Sequence, residues 1–244
     1  MPIEKRGLTF FHGTSTAAAI DILSSGARDA LGEIGCRELA SEILTALLKH
    51  GNEWELNQRF SRARCESPGL MALRSMHDRD RQGQYAYGHF FATLNIGNAY
   101  RYAVGNPLRS EYLLTISDSL KILRGFEDPL VDEVPSRYPE VVRAIESSSP
   151  AVVLELTNID EGRLTLATGG SEIEPEIEDF LAFPEQGWPA AFRIENVKPS
   201  DVIAVHDLSD WSRDDIVPSS RWRPNPDRVA IVRKSAEQWR ALVR

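Results

Sequence analysis

The chain has 244 residues, 42% hydrophobic and 26% charged, with a formal net charge of −8. Those proportions fit an ordinary globular chain of one domain with insertions, or two small ones. The acidic balance argues against broad, non-specific nucleic-acid binding. No stretch approaches the ~20 apolar residues needed to cross a bilayer, so no membrane partner is expected. The start, Met1-Pro2-Ile3-Glu4-Lys5-Arg6, leads into no apolar signal core. Cys36 and Cys65 form neither a disulfide framework nor a metal-spaced set. The expectation is a reduced, cytoplasmic setting and no metal.

Leu8 to Phe11 reads as a buried strand ending on His12 and Gly13. Gly13 lets the backbone bend or approach a ligand closely. Thr14, Ser15 and Thr16 are good N-cap residues. Ala17, Ile20 and Leu23, then Gly26, suit a helix of two to three turns with a glycine stop. Residues 36 to 82 are helix-rich: Leu39, Ile43, Leu44, Leu47 and Leu48 have helical spacing, ended by Gly51. In this block Arg59, Arg62, Arg64, Arg74, Arg79 and Arg81 read as a solvated helical face.

A strand returns at His89-Phe90-Phe91-Ala92-Thr93, and a short helix follows at about Ile96 to Val104, stopped by Gly105 and Pro107. The pattern then predicts strands at Tyr112–Ile116, Val152–Thr157, Leu164–Thr168, Asp179–Phe183, Ala191–Glu195, Val202–His206 and Val229–Arg233. Residues 124 to 150, rich in proline and charge, read as a surface excursion, and Ser235–Arg244 as an amphipathic helix. Strands this closely spaced, without long helices between them, predict an antiparallel or mixed sheet. His50, His77, His89 and His206 show no metal-ligand spacing with the cysteines. No linker forces a second domain.

Three segments fall in order. They are Phe11-His12-Gly13-Thr14, then Gly88-His89-Phe90-Phe91-Ala92-Thr93 with Ala99-Tyr100-Arg101-Tyr102-Ala103, and then the acidic run Glu174 to Phe183. Together they resemble the NAD-dependent ADP-ribosyltransferases of the diphtheria-toxin and poly(ADP-ribose) polymerase branch. That branch carries a histidine, a tyrosine and a glutamate on three strands of a split β-sheet. The resemblance spans residues 8 to about 208, outside the helical block of 30 to 85. It implies an α+β fold: a split β-sheet sandwich of mostly antiparallel strands. Residues 1–244 would form one domain, with a helical insertion at about 30–85.

The same resemblance implies NAD as co-substrate and a macromolecular acceptor, protein ahead of nucleic acid. The activity would be mono-ADP-ribosyl transfer, in the manner of a bacterial toxin or effector. It assigns His12 to the nicotinamide-side ribose and Gly13, beside Thr14, to the nicotinamide amide. Phe90 and Tyr102 would sandwich the nicotinamide ring. Phe90 departs from the usual tyrosine, yet stacking needs only a ring face. Bond cleavage at the ribose develops oxocarbenium character, which a carboxylate stabilises. Glu178, at the mouth of the expected 179–183 strand, is the first choice. Asp179, on the opposite strand face, and Glu176 are alternatives. The stretch Thr168-Gly169-Gly170-Ser171 lies where the family keeps a mobile recognition loop. An NAD glycohydrolase or a non-catalytic NAD-binding module would share the fold. The related tRNA 2′-phosphotransferase needs a second histidine and arginines that find no place in this chain.

Overall fold

The computed structural model describes residues 7–28, 33–65, 69–77, 90–147, 149–167, 173–182, 191–211 and 232–242. The chain packs as two compact units. The first is Met1–Arg28, His89–Arg109 and Ser149–Arg244; the second is Asp29–Gly88 and Ser110–Ser148. The helical block expected at about 30–85 therefore shares its unit with residues 110 to 148.

The first unit is built on one sheet. Its strands are β1 (Phe10–Ser15), β2 (Phe90–Thr93), β3 (Ala151–Leu156), β4 (Leu164–Leu166), β5 (Ala191–Ile194), β6 (Val202–Asp207) and β7 (Val232–Ser235), in the order β4-β5-β2-β1-β3-β6-β7. Every neighbouring pair is antiparallel. The α+β class and antiparallel sheet agree with the sequence expectation. The strands join as a single sheet because β1 pairs on both sides. Its pairing with β3 is continuous from Phe10–Leu156 to Ser15–Ala151, whereas its pairing with β2 rests on Phe11 opposite Thr93. The β1–β2 seam is the thin point of the sheet.

Helix α1 (Thr16–Ser25) leaves β1 directly. Ser15 Oγ accepts the Ala18 N–H at 3.2 Å, and Gly26, at φ 82°, returns its own N–H to Ile22 O. On one face of the sheet Phe10, Leu154, Phe192, Ile194 and Val205 build the main core, which α1 joins with Ile22 and Leu23. The terminal helix adds Trp239 to that core. On the other face the helix Ile96–Gly105 brings Ala99, Tyr100 and Ala103 against Val153, Leu208 and Trp211.

The second unit is helical among the described residues. It holds α2 (Cys36–His50), α3 (Glu53–Arg62) and α4 (Leu70–His77). The first-unit helix Ile96–Gly105 is α5, and α6 (Glu111–Arg124), α7 (Leu130–Arg137) and α8 (Pro139–Glu146) complete the second unit. Leu39, Ile43 and Leu47 are buried on α2 at the expected spacing, and Asn52 and Glu55 form a reciprocal cap on α3. Arg59, Arg62 and Arg64 are exposed, as a solvated face requires, whereas Arg74 is half-buried and pairs with Glu53; Arg79 and Arg81 lie outside the described residues.

Several expectations are corrected. Tyr112–Ile116 is not a strand but part of α6, which buries Leu113, Ile116 and Leu123 and is capped by Ser110. Asp179–Phe183 is not a strand either. Residues Ile173–Ala182 form helix α9, because Ile173, Ile177 and Phe180 repeat every three to four residues and pack on the core. The 124–150 excursion contains α7 and α8, anchored by Leu130, Val134 and Val141. Strand β1 continues to Ser15, so His12 and Gly13 sit mid-strand rather than at its rim. Strand β7 is described over Val232–Ser235 and runs into α10 (Ala236–Leu242), while residues 229–231 of the expected strand lie outside the described residues. Gly88, His89, the 168–171 stretch and Phe183 lie outside the described residues.

Candidate functional site

Alternation along β1 divides its side chains between the two faces of the sheet. Phe10 and His12 lie on the main-core face; Phe11 and Gly13 lie toward α5. His12 is partly buried, and its ring stands over Phe90, with centroids 4.0 Å apart and planes at 31°. Its Nδ1 meets the carbonyl oxygen of Phe91 at 2.6 Å. A carbonyl only accepts, so Nδ1 carries the proton and Nε2 keeps its lone pair. Burial pushes the imidazole down to about 4, against a weaker upward pull from the Phe91 bond. At neutral pH His12 is thus an uncharged imidazole with one acceptor nitrogen, suited to a hydroxyl donor.

The structure gives Gly13 a packing task. A Cβ there would run into the Ala99 carbonyl oxygen and lie 2.9 Å from Ala103 N. Glycine is required so that α5 can seat directly on β1. Thr14, expected beside the ligand, is 5% exposed.

His12 and Phe90 are the two sequence-derived site residues that the structure brings into contact. Tyr102 is 39% exposed on α5, which packs on the opposite face of β1 from His12. Glu176, Glu178 and Asp179 are all exposed on α9, whose buried positions are Ile173 and Ile177. The strand-face argument separating Glu178 from Asp179 fails with the strand. A cleft of about 320 Å³ in the second unit is lined by Glu42, Lys49, Asp128 and Glu133 among others, and by none of the sequence-derived site residues. Among the described residues no group of His, Cys, Asp and Glu is placed to hold a metal.

Sequence reasoning passed over a chain of polar side chains in the first unit. Tyr100 Oη lies 3.0 Å from His206 Nδ1, and His206 Nε2 lies 2.9 Å from Glu155 Oε2. Arg233 clasps both Glu155 oxygens, at 2.7 and 3.1 Å. The Arg233 guanidinium holds the Glu155 carboxyl below the usual carboxylate range, and burial depresses His206. The available signal was a charge inside an apolar strand: Glu155 within Val152-Val153-Leu154-Glu155-Leu156.

No family model, no curated protein and no solved structure matches this chain.

Proposed function

We propose that this chain is a mono-ADP-ribosyltransferase: it binds NAD, releases nicotinamide and transfers ADP-ribose to a macromolecular acceptor. Support comes from the ordered motifs and, above all, from the contact between His12 and Phe90. That contact pairs a neutral hydroxyl acceptor with an aromatic face on adjacent strands. A ribose hydroxyl and a planar ring, adjacent in NAD, match those two groups.

In this reading His12 Nε2 accepts from the nicotinamide-side ribose, and Gly13 backbone meets the carboxamide. Phe90 stacks on the ring; Tyr102, the second aromatic of the resemblance, stands on α5 across β1 from His12 and is given no contact with that ring. When the C1′–N bond breaks, its electron pair passes to the nicotinamide, which leaves neutral. An acceptor lone pair closes the new bond at C1′ and the acceptor gives up a proton. Glu178 is assigned to the developing positive charge on the ribose. The acidic chain favours a protein acceptor over a nucleic acid. The fold assigned with this activity is that of the ADP-ribosyltransferases. Free Cys36 and Cys65 accord with a cytoplasmic setting. Among the described residues no helix is long and apolar enough to cross a membrane.

A second reading, NAD binding without transfer, is favoured by one observation: Glu176, Glu178 and Asp179 stand exposed on a helix. Incubation with NAD labelled in the adenylate, with and without cell lysate, separates the readings. Label on protein together with free nicotinamide supports transfer. Free nicotinamide without transfer means hydrolysis. Saturable binding without cleavage leaves the binding module, and no binding removes all three.

A further inference from the structure

The chain Tyr100–His206–Glu155–Arg233 joins four elements, α5, β6, β3 and β7, through side chains alone. Three of its members are enclosed: Tyr100 is 4% and His206 5% exposed, and the Glu155 side chain 13%. Arg233 is the exposed end. Its geometry fixes the direction of each bond. Glu155 is an anion and only accepts, so His206 Nε2 carries the proton. His206 Nδ1 is then the acceptor, and Tyr100 donates its hydroxyl hydrogen to it. The phenol is kept in that donating form, because burial and the nearby Glu155 both raise it. Phe11 meets the His206 ring edge-on at 6.3 Å, and Trp211 lies 6.1 Å from Tyr100.

The position of Tyr100 gives the network a purpose beyond packing. It sits between Ala99, whose carbonyl oxygen blocks a Cβ on Gly13, and Ala103, whose nitrogen does the same. Small residues seat α5 on β1, but their smooth contact leaves rotation and sliding of the helix unspecified. A directional bond from a buried phenol specifies both. Tyr102, two residues on, takes its place from that setting, as does the backbone beside His12.

We infer that His206 is a positioning residue for the NAD site. Oriented by Glu155 and Arg233, it holds the Tyr100 hydroxyl and so fixes α5 against β1 beside His12. This inference rests on the NAD reading for its consequence, but its structural content can be tested without it.

The two ring nitrogens can be separated by substitution. His206→Asn keeps an acceptor near the Nδ1 position and loses the Glu155 bond. His206→Gln keeps a donor near Nε2 and loses the acceptor for Tyr100. The full chain is examined by amide hydrogen exchange and by NAD titration in the wild type, His206→Asn, His206→Gln and Tyr100→Phe. The expected result is at least tenfold faster exchange in α5 for Tyr100→Phe and His206→Gln, with a clearly smaller rise in His206→Asn, which keeps the acceptor but loses its orientation by Glu155. NAD dissociation constants should rise tenfold or more in the same two variants, and combining Tyr100→Phe with His206→Gln should add nothing further. Equal effects of Asn and Gln, or α5 exchange unchanged in Tyr100→Phe, would overturn the inference. If exchange behaves as expected while the wild type binds no NAD, the positioning of α5 by His206 stands and the NAD reading fails.

Discussion

His12 donates its Nδ1–H to the carbonyl oxygen of Phe91 at 2.6 Å, across the seam where β1 and β2 are in register only at Phe11 and Thr93. One imidazole therefore does two things. It ties the strands where the ladder is thinnest, and it leaves Nε2 as an acceptor beside the Phe90 ring. His12→Ala removes the tie and leaves the Phe91 carbonyl without that donor. The expected cost is about 1–3 kcal/mol of stability, measured by urea unfolding. His12→Asn, which retains a side-chain N–H, should recover part of it. Equal losses in both variants would show that the bond is not the source.

The same histidine sets a pH dependence. Folding takes its value from about 6.5 down to about 4. Between those values the unfolded chain binds the proton that the folded chain does not, so stability rises with pH there. It should be greatest above about pH 6.5 and fall as pH drops toward 4. His206 is shifted in the same direction and adds to the slope. Urea midpoints between pH 7.5 and 4.5 should fall less steeply in His12→Asn. An unchanged slope in that variant would contradict the assignment.

Gly13→Ala should destabilise by about 1–3 kcal/mol, the usual penalty for overpacking. The added methyl meets backbone atoms of Ala99 and Ala103, which cannot rotate away as a side-chain end would. Thermal unfolding measures this directly. A wild-type midpoint would mean that α5 does not sit on Gly13.

How far the sequence carries can be judged from particular elements. The β1–α1 unit was legible because Ser15 and Gly26 are local cap signals that need no tertiary partner. Helix α2 was legible from Leu39, Ile43 and Leu47. Helix α6 was misread as a strand because Tyr112 to Ile116 combines aromatic and β-branched residues. It lies in a helical unit, where burial on several sides removes the amphipathic contrast. At α9 the acidic residues obscured a three-to-four repeat of Ile173, Ile177 and Phe180. The carboxylate assignment depended on that strand. The His12–Phe90 contact was legible in part, since His12 closes one apolar run and Phe90 opens another. The His206 network was not, because its bonded pairs are separated by 51 to 106 positions in the chain.

Glu155→Gln should cost about 1.5–3 kcal/mol, the range for hydrogen bonds to charged groups. It leaves Arg233 and His206 facing a neutral amide. The loss should persist at high salt, since the Glu155 side chain is only 13% exposed. A surface pair would instead weaken as salt rises. Denaturation at low and high ionic strength distinguishes them.

The central claim is that His12 and Phe90 form part of an NAD site. Its most direct test is equilibrium titration of NAD into the wild type, His12→Ala and Phe90→Ala, with folding of each confirmed by circular dichroism. The account predicts saturable binding by the wild type. It also predicts roughly five- to hundredfold weaker binding by folded Phe90→Ala, since loss of ring stacking costs about 1–3 kcal/mol and 1.4 kcal/mol is tenfold, and a comparable loss in folded His12→Ala. No saturable binding by the wild type, or wild-type affinity in both variants, would contradict it.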